Sequence, residues 1–334
     1  MRSREGDFIE TTDGLIFDVK GMLHPPDRII AYVRYFPDKK GCRERCGLKY
    51  RKVYDLSARA KLLRTKWPEY IYWDSVFNRE LEAVPMAKIK RQHLPVDKLA
   101  QLRRAPKLDR QQQSAVEMAS TLAREAQVAA TKVGVSGSIL VDLHTNKSDI
   151  DLVIYGSRVA RKCHSKLPSL LSSGNLGFSD YDKTDLRRLY TQRKQKACMS
   201  FSVFSQHEQP KRLQGKFRGT DYYIRCVRDW GEWHERYGAK RYFPVGKLVV
   251  RAKISDATES IFTPCVYRLA DVEAPGKRRA PTEIVSFRGR FCEQAHEGER
   301  VRALGTLEKV VGEGSPEYRV VIGEDPSDSL IVLE

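Results

Sequence analysis

Nowhere in these 334 residues does an apolar run approach the roughly 18 to 20 side chains that a membrane span requires. A helical membrane protein is therefore not expected. The opening stretch MRSREGDFIETTDG carries charge but lacks the apolar centre of a secretory signal, so a cytoplasmic protein is expected. Cysteine is sparse: Cys42, Cys46, Cys163, Cys198, Cys226, Cys265 and Cys292 are scattered and odd in number, which argues for reduced thiols rather than a disulfide framework. Cys42 and Cys46 form the one close pair, and no further ligands at comparable spacing complete a zinc site. Internal repeats and low-complexity tracts are missing too.

Acidic charge is also short. Against 43 Asp and Glu stand 60 Lys and Arg, a net charge of +17. The excess is +10 over residues 1–110, +9 over residues 111–245 and −2 over residues 246–334. An excess carried by two of three segments suggests an extended anionic partner gripped through its phosphates, and RNA is the favoured one. A generally basic surface is the plainer alternative.

The pattern along the chain predicts an α+β protein in three parts. Residues 1–108 read as a basic, β-rich and helical region. Asp13-Gly14 marks a hairpin turn, RIIAYVRYF a further strand, and LSARAKLLRTKW a helix with Leu56, Ala60, Leu63 and Trp67 on one face and its Lys and Arg on the other. The cluster WPEYIYW suits a small aromatic core better than base stacking. Pro85, Pro95 and Pro106 suggest a connector. Residues 109–245 open with a helix capped by Asp109 and then alternate strand and helix. Residues 246–334 hold short strands between turns, as in a small β-barrel or sandwich.

The chemistry concentrates in GVSGSILVDLHTNKSDIDLVIYG. Gly137-Ser138 stands between a predicted strand and a predicted short helix, where a backbone without Cβ and a hydroxyl donor suit a phosphate. In SDIDLVIYG, Ile150, Leu152 and Ile154 share one strand face while Asp149 and Asp151 share the other. Two carboxylates so placed can hold Mg²⁺, a hard cation that retains room for substrate phosphates. Lys147 in the turn, with Arg158 and Arg161 on the helix after Gly156, are candidate triphosphate contacts. His144 is read as structural.

Gly137-Ser138 followed by Asp149-x-Asp151 on an apolar strand resembles the nucleotidyltransferase superfamily of DNA polymerase β. The resemblance covers about residues 110–230, and the whole chain is similar to archaeal proteins described as predicted nucleotidyltransferases. It implies that the glycine and serine cradle an NTP, ATP among the candidates, and that the aspartates bind two Mg²⁺ ions. NMP would pass to an acceptor hydroxyl, on RNA in the first reading. NMP transfer to a protein, or an RNA-binding protein retaining the fold without catalysis, are the alternatives. The stretch ILVDLHT after Gly-Ser departs from the CCA-adding relatives, so CCA addition is not expected.

The superfamily also implies a third metal-binding carboxylate on a later strand. Of Asp180, Asp182, Asp185, Glu208, Asp221 and Asp229, only Asp221 opens a clear strand, TDYYIRCV, on one face with Tyr223 and Arg225. Asp149, Asp151 and Asp221 are thus the expected catalytic and metal-binding residues, with Gly137, Ser138, Lys147 and Arg158 expected to hold the nucleotide.

Overall fold

The computed structural model describes residues 1–53, 56–174, 176–193, 199–274 and 280–333, so Cys198 lies outside the described residues. Helices and sheets are both abundant, and the fold class is α+β. Among the described residues no helix is long and apolar enough to cross a membrane. The chain divides into two compact units: residues 1–74, 79–178 and 216–237 form the first, and residues 75–78, 179–215 and 238–334 the second. By contacts, the N-terminal region and the strand bearing the aspartates gather into a single unit.

Two sheets build that first unit. In the N-terminal sheet the strands run in the spatial order Arg43–Arg45, Leu48–Lys52, Arg28–Pro37, Ile16–Val19, Phe8–Thr11 and Ile89–His93. Gly14 supplies the positive φ of +78° that the turn after Phe8–Thr11 requires. One face of this sheet buries Ile9, Phe17, Val19, Ala31 and Val33 against Leu63 of the helix Leu56–Lys66 and against Tyr70. Trp67 packs on the same core, whereas Trp73 of the aromatic cluster is 66% exposed.

Two expectations fail here. The basic residues of Leu56–Lys66 do not all face away: Arg59 is buried, its Nε donating to Glu82 Oε1 at 2.5 Å beneath the Tyr32 ring. Glu82 compensates its charge, and the guanidinium packs on Tyr32 as an apolar side chain would. Nor is the proline-marked stretch a bare connector. Ile89–His93 is an edge strand paired with Phe8–Thr11, where polar side chains are tolerated. Pro95 opens the helix Pro95–Arg104, a first-turn position that needs no N–H. That helix lies so close to the strand Val133–Val135 that a Cβ on Gly134 would come within 2.6 Å of Pro95.

The second sheet of this unit carries the opening motif. Strand Ile150–Tyr155 pairs in parallel with Thr220–Val227 and antiparallel with Val133–Val135. Ile150, Leu152, Ile154, Tyr222, Ile224 and Cys226 are buried on one face, under the helices Arg110–Glu125 and Ser157–Ser173. At about 1.5–3 kcal/mol for each large apolar side chain, that face fixes the register and turns the alternate positions to the other side. Asp109 caps Arg110–Glu125 in a reciprocal capping box with Gln112.

In the second unit, strands Arg241–Asp256, Cys265–Glu273, Glu283–Ser286, Glu317–Ile322 and Arg300–Val311 pair in that order, and the last pairs back to the first, closing a ring. Only Glu283–Ser286 with Glu317–Ile322 is parallel among these pairs. A sixth strand, Ser329–Val332, joins Arg300–Val311. Helices Lys183–Arg193 and Phe201–Glu208 complete the unit. Glu208 is buried there, accepting from Lys211 Nζ at 2.7 Å and Arg193 Nη1 at 2.9 Å.

Candidate functional site

The alternation of Ile150–Tyr155 is set by its buried face, so Asp149, Asp151 and Val153 all project to the other side. The parallel register aligns Asp151 with Tyr223 and Val153 with Arg225. Continued one residue back, it aligns Asp149 with Asp221 on that same face. Asp149 is exposed, and Asp151 and Asp221 are half-buried. Among the described residues, no three His, Cys, Asp or Glu side chains are drawn together as a ready metal-binding group. What stands assembled is a pair of carboxylates, with Asp221 beside it in register.

Gly137 abuts this pair. The chain leaves Val133–Val135, Ser136 N donates to Asp151 O at 2.8 Å, and Gly137 turns at φ +60°. A Cβ on Gly137 would stand 1.9 Å from Asp151 Oδ2, so the carboxylate packs directly on the glycine. The helix that follows, Gly137–Leu140, is a single turn and stops well short of the stretch SILVDLHT expected to be helical. Asp142, with φ +54°, lies beyond its end. So short a helix has little macrodipole, and any anion there would be held by individual donors. Ser138 is one. Its hydroxyl is buried, with the residue 3% exposed, and has no hydrogen-bond partner among the described residues.

Electrostatics mark Asp151 out. Burial first, and then the charge of Asp149, push its carboxyl up to about 7; Arg225, Lys52 and Arg34 pull the other way without prevailing. A desolvated acid beside an exposed one, incompletely compensated, forms a cation-seeking arrangement. The donor set is chemically suited to Mg²⁺: hard carboxylate oxygens, one of them exposed, beside an unpartnered hydroxyl.

A buried ionic network lies on the same face. Arg225 Nη1 donates to Glu5 Oε1 at 2.8 Å and approaches Asp18 Oδ1 at 3.5 Å, and Lys20 Nζ joins Glu5 at 3.1 Å and Asp18 at 2.9 Å. Burial alone would raise the Asp18 carboxyl, but Lys20 and Arg225 outweigh it and hold it well below the usual range. Gly6 packs on Val153, and Ser136 Oγ donates to Gly6 O at 2.7 Å. The N-terminal residues therefore brace the strand that carries the aspartates.

The other expected contacts divide. Lys147 is exposed in the turn just before Asp149. Arg158 and Arg161 are not brought to the carboxylates. Six strand residues, about 17 Å of extended chain, separate the two ends of Ile150–Tyr155. At that far end Ser157 N and Oγ donate to Glu232, at 2.9–3.0 Å, so a protein carboxylate caps the helix Ser157–Ser173. The cations that do act on Asp151 are Arg225, Lys52 and Arg34. Arg225 was legible from its strand face. Arg34 and Lys52 belong to the N-terminal sheet, and only tertiary structure links them to Asp151.

The other acids weighed as a third ligand are engaged elsewhere. Asp182 accepts from Asp185 N at 2.8 Å as a helix cap, and Asp180 pairs with Arg212 at 2.9 Å. Asp229 caps Trp230–Glu232 and pairs with Arg4 and Lys132. His144 pairs with Asp109 at 2.6 Å and joins the packing around the helix start.

Among known proteins, the chain is similar to an uncharacterized protein of Methanocaldococcus jannaschii, 28% identical over 332 residues, covering 97% of this chain and 96% of the relative. No family model matches the chain. No solved structure matches it.

Proposed function

We propose that this protein is a metal-dependent nucleotidyltransferase of the DNA polymerase β type, moving NMP from an NTP to an acceptor hydroxyl, with RNA the favoured acceptor. The observation that carries the reading is the contact of Asp151 with Gly137, beside a buried Ser138 hydroxyl that has no partner among the described residues. A catalytic carboxylate pair and a phosphate-holding turn must adjoin for one ligand, an NTP with its Mg²⁺, to engage both. Asp149 and Asp151 would hold the ion, which supplies charge neutralisation on the phosphates and a more acidic attacking hydroxyl. Ser138 would donate to a phosphate oxygen. Arg225, Lys52 and Arg34 would provide positive potential on the same face, and Asp221 a further carboxylate. The finer architecture, a polymerase β-like core with a small C-terminal β domain, belongs to this same reading.

The test is to incubate the full chain with each labelled NTP, Mg²⁺ and total cellular RNA or protein. Label should enter RNA, and Asp149→Asn or Asp151→Asn should lower incorporation by orders of magnitude while leaving the melting temperature near that of the parent. Label entering protein alone moves the acceptor assignment to protein. No label under any condition, or full activity in both variants, overturns the reading.

A further inference from the structure

A cavity of about 630 Å³ opens in the first unit, beyond the end of Thr220–Val227 that is remote from Asp221. Its walls include Trp230, Trp233, His24, Arg2, Arg236 and Met22. The strand Thr220–Val227 is eight residues long, which places roughly 20 Å of sheet between this cavity and the carboxylates. It is a separate place, and nothing in the proposed transfer reaction uses it.

The lining chemistry is specific. The Arg2 guanidinium lies 4.7 Å from the centroid of the Trp230 ring, and Arg4 reaches the same ring at 5.1 Å. Guanidinium and indole together make a flat, electron-rich and cationic wall, which disfavours a cationic guest and suits a planar one with an adjacent negative charge. The Trp233 indole N–H is buried without an acceptor among the described residues, a donor that costs free energy until something accepts from it. His24 is no competitor for that role. Its Nδ1 accepts from Ile30 N at 3.2 Å and its Nε2 donates to Ser3 O at 2.9 Å, and burial holds it neutral, with its pKa depressed to about 4. Arg236 is exposed and makes no ion pair among the described residues. The volume falls within the roughly 300–1,000 Å³ common for small-ligand sites.

We infer that this cavity takes an unpaired nucleotide of a single-stranded RNA, its base between the Trp233 indole and the Arg2 guanidinium that lies over Trp230, an acceptor atom of the base on the Trp233 N–H, and the flanking phosphates on Arg2 and Arg236. Bases splayed from a single strand are read in this way, by stacking and edge hydrogen bonds within a basic surface. The inference goes beyond the transfer reaction and stands whether or not Asp149 and Asp151 catalyse it. It gives the positive charge of the first unit a partner at a defined place.

The test uses the full chain and measures tryptophan fluorescence and calorimetric binding with single-stranded 10-mer RNAs, the matching duplex, AMP and an acidic decapeptide. Single-stranded RNA should bind best, and AMP should bind much more weakly because it engages one pocket without flanking phosphates. Trp233→Phe, which keeps a ring but removes the donor, and the double variant Arg2→Gln with Arg236→Gln should each weaken RNA binding roughly tenfold. Lys162→Gln, at an exposed position of the helix Ser157–Ser173, should leave that binding unchanged, which separates this site from a general loss of positive charge. The arginine changes are at the surface and should leave the melting temperature unaltered. Parent-like RNA affinity in both pocket variants overturns the assignment. So does AMP binding as tightly as the strand, or a preference for the acidic peptide.

Discussion

Replacing Gly137 by alanine tests the proposed site through one methyl group. The Cβ would arrive 1.9 Å from Asp151 Oδ2 and 2.7 Å from its Cγ, so the carboxylate must retreat by about 1.5 Å to recover ordinary contact. The backbone at φ +60° also disfavours a side chain, at about 1–2 kcal/mol. Gly174→Ala separates these effects, because Gly174 has φ +62° and open space where its Cβ would go. Both variants should lose similar stability from backbone strain, with an added loss of about 1 kcal/mol in Gly137→Ala from the displaced carboxylate. Only Gly137→Ala should lose transfer. A misplacement of about 1 Å in a reacting constellation costs on the order of 10²-fold, so label incorporation should fall at least that far. Denaturant melts give the stability comparison, and incorporation of labelled NMP gives the activity. If Gly137→Ala turns over like the parent, the contact between the turn and Asp151 plays no part in the chemistry.

Three further outcomes follow from the same geometry. Asp221→Asn should abolish transfer while leaving NTP binding largely intact, and Asp182→Asn, which alters a helix cap, should change neither; incorporation and equilibrium NTP binding measure both. Asp7 is buried, and desolvation pushes its carboxyl up to about 7 despite hydrogen bonds from Arg4 N and Gln92. The folded chain therefore keeps this proton between pH 4 and 7 where the unfolded chain gives it up, and this contribution, full below pH 4, is lost as pH rises through 7. Asp7→Asn should accordingly be about 2–4 kcal/mol more stable than the parent at pH 8 and gain almost nothing at pH 4, by urea melts at both values. Glu82→Gln breaks the buried pair with Arg59 and should cost about 3 kcal/mol, visible as a shifted urea midpoint at unchanged m.

Elements with strong local signals were legible in the sequence. The hairpin at Asp13-Gly14, the helix capped by Asp109 and the alternating strand around Asp149 and Asp151 each follow from a turn residue, a cap or a period of two. The common face of Asp149, Asp151 and Asp221 was legible for the same reason, since two alternating strands side by side must match faces. Long-range pairing was not. Nothing local in IKRQH tells an edge strand from a polar linker, and only its partner Phe8–Thr11 makes it a strand. Arg158 looked close to the aspartates because it follows Asp151 by only seven positions, yet the strand running to Tyr155 lies between them and carries it away. Arg34 and Lys52 lie far off in sequence and act on Asp151 only because the N-terminal sheet is folded against it.

The N-terminal region therefore belongs to the site. Arg225 leaves the strand next to the aspartates and is anchored by Glu5 and Asp18, with Lys20 bridging the same two acids. A buried network of this kind gains little net stability, because desolvation offsets most of the Coulomb attraction. Its geometric effect is larger: each member restrains the others, so Arg225 holds one position and its charge one distance from Asp151. On the proposed reading, that fixed charge has two consequences. Before nucleotide arrives, it offsets part of the repulsion between Asp149 and Asp151 without cancelling it, which leaves the pair able to attract a divalent cation. Once a triphosphate is present, Arg225, Arg34 and Lys52 supply positive potential that requires no rearrangement. The same cations that make the chain basic in its first half are thus partly committed within the fold, and the exposed remainder, Arg2 and Arg236 among it, is what an RNA strand would meet.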